Sequence, residues 1–279
     1  MRFEDFARAH GLIINSIQYG KWIRVPTTDK PRSSNGAYIY DGNRGAVQNW
    51  ATMEKPITWQ SETDIRSLPV IRQQNQKAYQ ERQNLADKAA KKAGWILHQC
   101  VNKTHPYLEK KGFPEEQGNV WETDEGNKLV IPMRSEGLLV GCQLIDEQGN
   151  KKFLYGQRTK GAAFSITDKP DNVFFCEGYA TALSIRKIMK ANSMRYTIHV
   201  CFSASNMKEI ARSVPNGIVI ADNDPNQIGE SVAIETGKPY WISDAVGEDF
   251  NDYHMRVGLF KASQALKKTL IAVKTPQIA

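Results

Sequence analysis

The 279 residues are 41% hydrophobic and 24% charged, an ordinary balance for a soluble globular chain. That length suits two or three domains of roughly 100–200 residues each. No apolar run approaches the roughly 20 residues of a membrane helix, and the opening MRFEDFARAHGL lacks the basic-then-apolar order of a secretory signal, so no membrane association and a cytoplasmic location are expected.

Residues 1–63 read as a small α+β module. A helix over Phe3 to His10 is closed by Gly11, and strands KWIRVP and GAYIYDG flank the turn-rich TTDKPRSSN. Its aromatics (Trp22, Tyr38, Tyr40, Trp50 and Trp59) are expected in a core. Residues 64–98 are rich in Gln, Ala, Lys and Arg with sparse apolar positions, and predict a long exposed helix linking domains. Residues 99–169 return to strands. HPYLEKKGF is a short helix, and KLVIPMR, GLLVGCQLID and KKFLYG form an antiparallel meander.

In residues 170–279 strand and helix alternate: VFFCEG, YATALSIRKIMKAN, HVCFSA, SNMKEIARSV, GIVIADND, NQIGESVAIETG and PYWIS. This order predicts a parallel sheet with covering helices, whose ligands gather at the carboxyl ends of the strands. A last helix is expected over roughly Leu259 to Val273. The fold class is therefore multidomain, α+β in front and α/β behind.

Charge divides along the same line. Residues 1–170 hold 25 basic and 19 acidic residues, residues 171–279 hold 12 and 11, and the whole chain carries +7. Such a split suits a polyanion-binding front joined to a rear that commits carboxylates to metal, and equally a slightly basic surface with no such role. The four cysteines (Cys100, Cys142, Cys176 and Cys201) form no C-x2-C pair. No zinc site is expected, and Cys176 and Cys201, in apolar runs, read as buried thiols in a reducing compartment.

The chemistry is concentrated at strand ends. Glu177 ends the first strand of the rear half and is followed by Gly178, Asp222 and Asp224 end the third, and Asp249 and Asp252 lie in the loop after the fourth. Carboxylates gathered this closely raise one another's pKa unless a cation neutralises them, and hard oxygen donors suit Mg²⁺ (or Mn²⁺). A lone ADND would otherwise read as a turn that caps the next helix. Beside Glu177-Gly178 and D-x-x-D at neighbouring strand ends, the metal reading prevails.

FFCEGYATALS, VIADND and GEDFNDY resemble the motifs of the TOPRIM domain, in the form found in primases of phages and plasmids. The resemblance covers residues 171 to about 256. It implies that Glu177 is the family glutamate, a ligand or general acid/base, and that Asp222 and Asp224 hold metal. Asp249 and Asp252 fall in a third acidic piece that matches more loosely. LVIPMRSEGLLVGCQLIDEQGNKKFLYGQRTKGAAFSI is similar to the segment preceding TOPRIM in primases of mobile elements. It implies a primase-type catalytic core whose basic front lobe places Lys151, Lys152, Arg158 and Lys160, with Arg134, against a single-stranded DNA template. Interleaved Phe153, Tyr155 and Phe164 fit a single-strand groove, or else a hairpin with buried aromatics.

The chain departs from that family in front: residues 1–60 hold no cysteine and only His10 among histidines, so the usual zinc module is missing. No G-x-x-x-x-G-K-[ST] occurs, so a separate replicative helicase is the expected partner. The resemblance implies primer synthesis from nucleoside triphosphates in the bacterial cytosol, serving a phage or plasmid. A single-strand-binding accessory factor and a metal-dependent nuclease are the alternatives.

Overall fold

The computed structural model describes residues 1–53, 55–225 and 227–274, with side chains to residue 271. Asn226, where the sequence starts a helix, lies outside the described residues. The chain forms two compact units, Met1–Leu85 and Ala86–Ala279.

The first unit contains α1 (Phe3–Ala9), β1 (Ile23–Val25), β2 (Gly36–Tyr40), β3 (Arg44–Asn49) and β4 (Ile57–Gln60), the strands forming an antiparallel sheet in the order β1-β2-β3-β4. Phe3 of α1 lies flat on Tyr40, ring centroids 4.5 Å apart, and edge-on to Trp59. A side chain at Gly45 would strike the Phe3 ring at 2.3 Å, so this strand position has room only for hydrogen. β3 and β4 were not read from the sequence. Their period is weak because β3 contains Gly45 and is buried almost throughout, while β4 is four residues long and largely exposed. The expected aromatic core also needs correcting. Tyr38 and Tyr40 are buried, whereas Trp22 and Trp50 are about half exposed (49% and 50%), and the Arg24 guanidinium lies 3.8 Å over the Trp50 ring.

Helix α2 (Pro69–Gln99) begins in the first unit and ends in the second. It is not simply an exposed connector. Ile71 and Ala78 are buried, and Ala89, Ala93 and Ile96 form a core with Val130, Cys142 and Leu154.

In the second unit, β5 (Val101–Lys103), β6 (Gly118–Trp121), β7 (Lys128–Ser135), β8 (Leu138–Ile145) and β9 (Lys151–Phe153) form an antiparallel sheet in chain order, with the short helix α3 (Pro106–Lys110) between β5 and β6. The remainder is β10 (Phe164–Asp168), β11 (Asn172–Cys176), α4 (Tyr179–Ala191), β12 (Tyr196–Val200), α5 (Ala204–Ser213), β13 (Ile218–Ile220), α6 (Ile228–Thr236), β14 (Tyr240–Trp241) and α7 (Phe250–Lys274). α7 is broken at Gly258 (φ 80, ψ 165), so the helix expected from Leu259 has a first segment starting at Phe250.

The second sheet runs β10-β12-β11-β13-β14, with β11, β12, β13 and β14 parallel. β11 is apolar from Val173 to Cys176 because both faces are covered. Phe174 and Cys176 face the core shared with α4 and α7, and Phe175 faces the core under α5 and α6. One boundary moves. Phe164–Asp168, counted by the sequence with the front lobe ending at residue 169, pairs antiparallel with β12 and is the edge strand of the rear sheet. No helix among the described residues is long and apolar enough to cross a membrane.

Candidate functional site

Three parallel strands deliver the acidic residues to one end of the rear sheet. Glu177 leaves β11 at its carboxyl end, and its carbonyl accepts a hydrogen bond from Phe202 N–H (3.0 Å) just past β12. Burial and the neighbouring Asp224 charge push its carboxyl up to about 7, against the opposing pull of the Ala204 backbone N–H at the start of α5 and of Lys151. Asp222 follows Ala221, whose N–H donates to Trp241 O at 2.9 Å and so extends the β13–β14 ladder. Burial, then Glu177, Asp249 and Asp224, push Asp222 up to about 8, with Lys151 again opposing. Glu177 Oε1 and Asp222 Oδ1 are both sealed from solvent without a hydrogen-bond partner. A buried acceptor left unmatched costs about 1–3 kcal/mol, so a donor or cation brought to these two oxygens would relieve that cost.

Two backbone features set this geometry. Gly229, in the first turn of α6, lies so close to the preceding loop that a Cβ there would fall 2.1 Å from Asp222 O. Asn223, between the two aspartates, ties its loop to the next acidic one: its N–H donates to Glu248 O (3.2 Å), its Nδ2 to Ser243 O (3.0 Å), and its O accepts from Gly247 N–H (2.6 Å). From α7, Arg256 holds both Glu248 (2.6 Å) and Asp244 (2.9 Å) of that next loop. Asp249 Oδ1 accepts Asp252 N–H at 2.8 Å, and Asp252 pairs with Lys111 at 3.0 Å.

Glu177, Asp222, Asp224 and Asp249 therefore act on one another electrostatically, whereas Asp252 turns to Lys111. Among the described residues no three His, Cys, Asp or Glu side chains form a ready metal cage. Mg²⁺ does not need one, since it commonly takes one or two carboxylates and completes its octahedron with water and substrate phosphate. Two hard oxygen donors without partners, on carboxyls held near neutrality by their surroundings, fit such an ion.

The basic residues separate. Lys151 lies on the same side of β9 as the acids. Its Nζ is 4.0 Å from where a Gly178 Cβ would sit, and its charge pulls Glu177 and Asp222 down. Lys152, one residue on, takes the other face of the strand and lines a cavity of about 410 Å³ with Trp121 and Leu144. Arg134 and Arg158 line a cleft of about 610 Å³ with Ser165, His199 and Glu209, and Lys160 pairs with Glu209 at 3.4 Å. His199, given no role from the sequence, hydrogen-bonds Ser165 Oγ at 2.8 Å and stacks on Phe175. Gly229, Asn223 and Arg256 were also missed. Only Asn223 carried a visible signal, from its place inside ADND.

Residues 172–259 match the family described as Toprim domain. Two Escherichia coli proteins named DNA primase TraC are similar to most of the chain. One is 24% identical over 215 residues (72% of this chain and 19% of that protein), and the other 25% over 257 residues (81% and 17%). The chain thus spans less than a fifth of the length of these curated relatives. Among solved structures, a chain of the bacteriophage T7 lagging-strand DNA polymerase assembly with primase domains is 14% identical at a TM-score of 0.44, covering 65% of this chain and 96% of that one. The bacteriophage T7 primase fragment is 13% identical at a TM-score of 0.40, covering 59% and 69%. Residues 172–259 thus match the Toprim domain, and the chain that carries them is similar to the DNA primase TraC of Escherichia coli.

Proposed function

We propose that this chain is a DNA-dependent primase that makes short RNA primers on single-stranded DNA. The observation that carries this reading is the pair of buried, unpartnered carboxylate oxygens on Glu177 and Asp222, at adjoining strand ends of a Toprim domain. In the reaction a 3′-hydroxyl attacks the α-phosphate of a nucleoside triphosphate, and pyrophosphate leaves. Asp222 and Asp224 would hold Mg²⁺ or Mn²⁺, with Asp249 beside them, and the ion would offset charge developing on the phosphate. Glu177, with its carboxyl near 7, is poised to take or hold a proton at working pH. Lys151 presents an ammonium to the same space. Arg134, Arg158 and Lys160 would hold template phosphates on the neighbouring cleft, with Lys152 on the far side of β9. A separate helicase would open the duplex, and the primers would serve phage or plasmid replication in the bacterial cytoplasm.

The test is incubation of the protein with single-stranded templates, labelled ATP or GTP, the other nucleotides and Mg²⁺, read on a denaturing gel beside Asp222→Ala and an EDTA control. Short products lost in both controls are expected. Template shortening would identify a nuclease instead. Intact template without product, but with salt-sensitive binding, would favour an accessory factor.

A further inference from the structure

We infer that Phe153, Phe202 and Tyr155 form a platform on which a nucleobase stacks beside the acidic residues. This rests on the reading of that site as one that acts on nucleotides. Phe202 is a bulky residue at φ 69, a left-handed conformation that costs a non-glycine residue of order 1–3 kcal/mol and tends to persist where function demands it. It sits directly behind the site, its N–H on Glu177 O. The turn sets its ring edge-on to Phe153, with centroids 6.2 Å apart and planes at 79°.

Phe153 shares a strand face with Lys151, the lysine that reaches Glu177 and Asp222. β9 is the last strand of its sheet, paired only with β8, so one edge of it is open. Phe153 stays 43% exposed and Tyr155, just beyond the strand, 86% exposed. Had the pair only joined the front sheet to the Toprim domain, both rings would gain by full burial. Phe164, partly buried, packs instead on the core of the Toprim domain, edge-on to Tyr179 and outside the platform. Partly exposed rings on the strand face of Lys151 match a nucleotide, whose base has an apolar face and whose phosphates are anionic.

The experiment separates bases from phosphates. Binding of a fluorescent oligothymidylate is compared with that of an abasic strand of equal length, for the full chain and for Phe153→Leu, Phe153→Tyr and Tyr155→Ala. The same comparison between ATP and inorganic triphosphate tells a template base from that of an incoming nucleotide. The full chain should prefer the base-bearing ligand by about tenfold. Phe153→Leu should lose that preference with abasic binding unchanged, and Phe153→Tyr should keep it. Tyr155→Ala, too exposed to affect folding, should weaken the preference on its own. Equal affinity of the full chain for both members of each pair, or equal losses for both in Phe153→Leu while Tyr155→Ala changes nothing, would overturn the platform and leave the primase reading standing. Failure to bind any of these ligands would overturn both.

Discussion

Asp222 titrates near 8 when folded but near 4 when unfolded, and Glu177 near 7 against roughly 4.3. Between those values the native state holds protons that the unfolded chain has released. Stability of the metal-free protein must therefore fall as pH rises through that window. This is the reverse of a salt-bridged carboxylate, whose contribution is lost on acidification. Over the window the loss should reach a few kcal/mol, on the order of one per pKa unit and reduced by coupling between the two groups. Melting followed in EDTA from pH 5 to pH 8.5 should show a steadily falling Tm. Mg²⁺ should restore it most at the alkaline end, where it replaces the missing protons. Asp222→Asn should flatten the EDTA curve while abolishing synthesis. A Tm that climbs with pH in EDTA would mean that these carboxylates are ionised and already paired without metal.

Contact between α6 and the loop after β13 turns a single glycine into a determinant of the acidic site. A Cβ on Gly229 would lie 2.1 Å from Asp222 O, and the obstructing atom is backbone that cannot swing aside. Gly229→Ala therefore has to move either the helix or Asp222. Overpacking of this kind costs about 1–3 kcal/mol, yet the larger effect should be on chemistry, because the displaced group is the aspartate itself. Primer synthesis and the Mg²⁺-induced rise in Tm should both drop well beyond the change in metal-free stability. Ser231→Ala, at an exposed position of the same helix, should leave all three unaltered. Normal Mg²⁺ response in Gly229→Ala would show that the loop relaxes without disturbing the carboxylate. Little in the sequence marks this glycine, because a Gly in a helical pattern reads as a mild defect until its neighbour in space is known.

At the scale of the whole molecule, what could be read in advance was local and periodic. The apolar run of β11 ending in Glu177-Gly178, the ADND after β13 and the acidic loop after β14 each carry their own signal within about ten residues. What escaped was set by partners distant in the chain. β10 is assigned to the rear sheet only by pairing with β12, Ser165 opposite His199. Trp22 and Trp50 look like core aromatics until the sheet that leaves them half exposed is assembled. α2 looks like a linker because its apolar positions are mostly alanine, and only the fold shows Ala89, Ala93 and Ile96 closing on Val130, Cys142 and Leu154.

That last core decides where the chain can be divided. It lies wholly within Ala86–Ala279, as do both five-stranded sheets and all the acidic residues at issue. A chain beginning at Ala86 sacrifices the first turns of α2, and the freed N–H groups at the new helix start are open to water. It should fold, melt in a single cooperative transition and retain the pH-dependent Tm and Mg²⁺ response of the full-length protein. Any change in priming on adding back Met1–Leu85 would then belong to the first unit. Loss of the Mg²⁺ response in the 86–279 fragment, with its fold intact by circular dichroism, would instead make the first unit part of the acidic site.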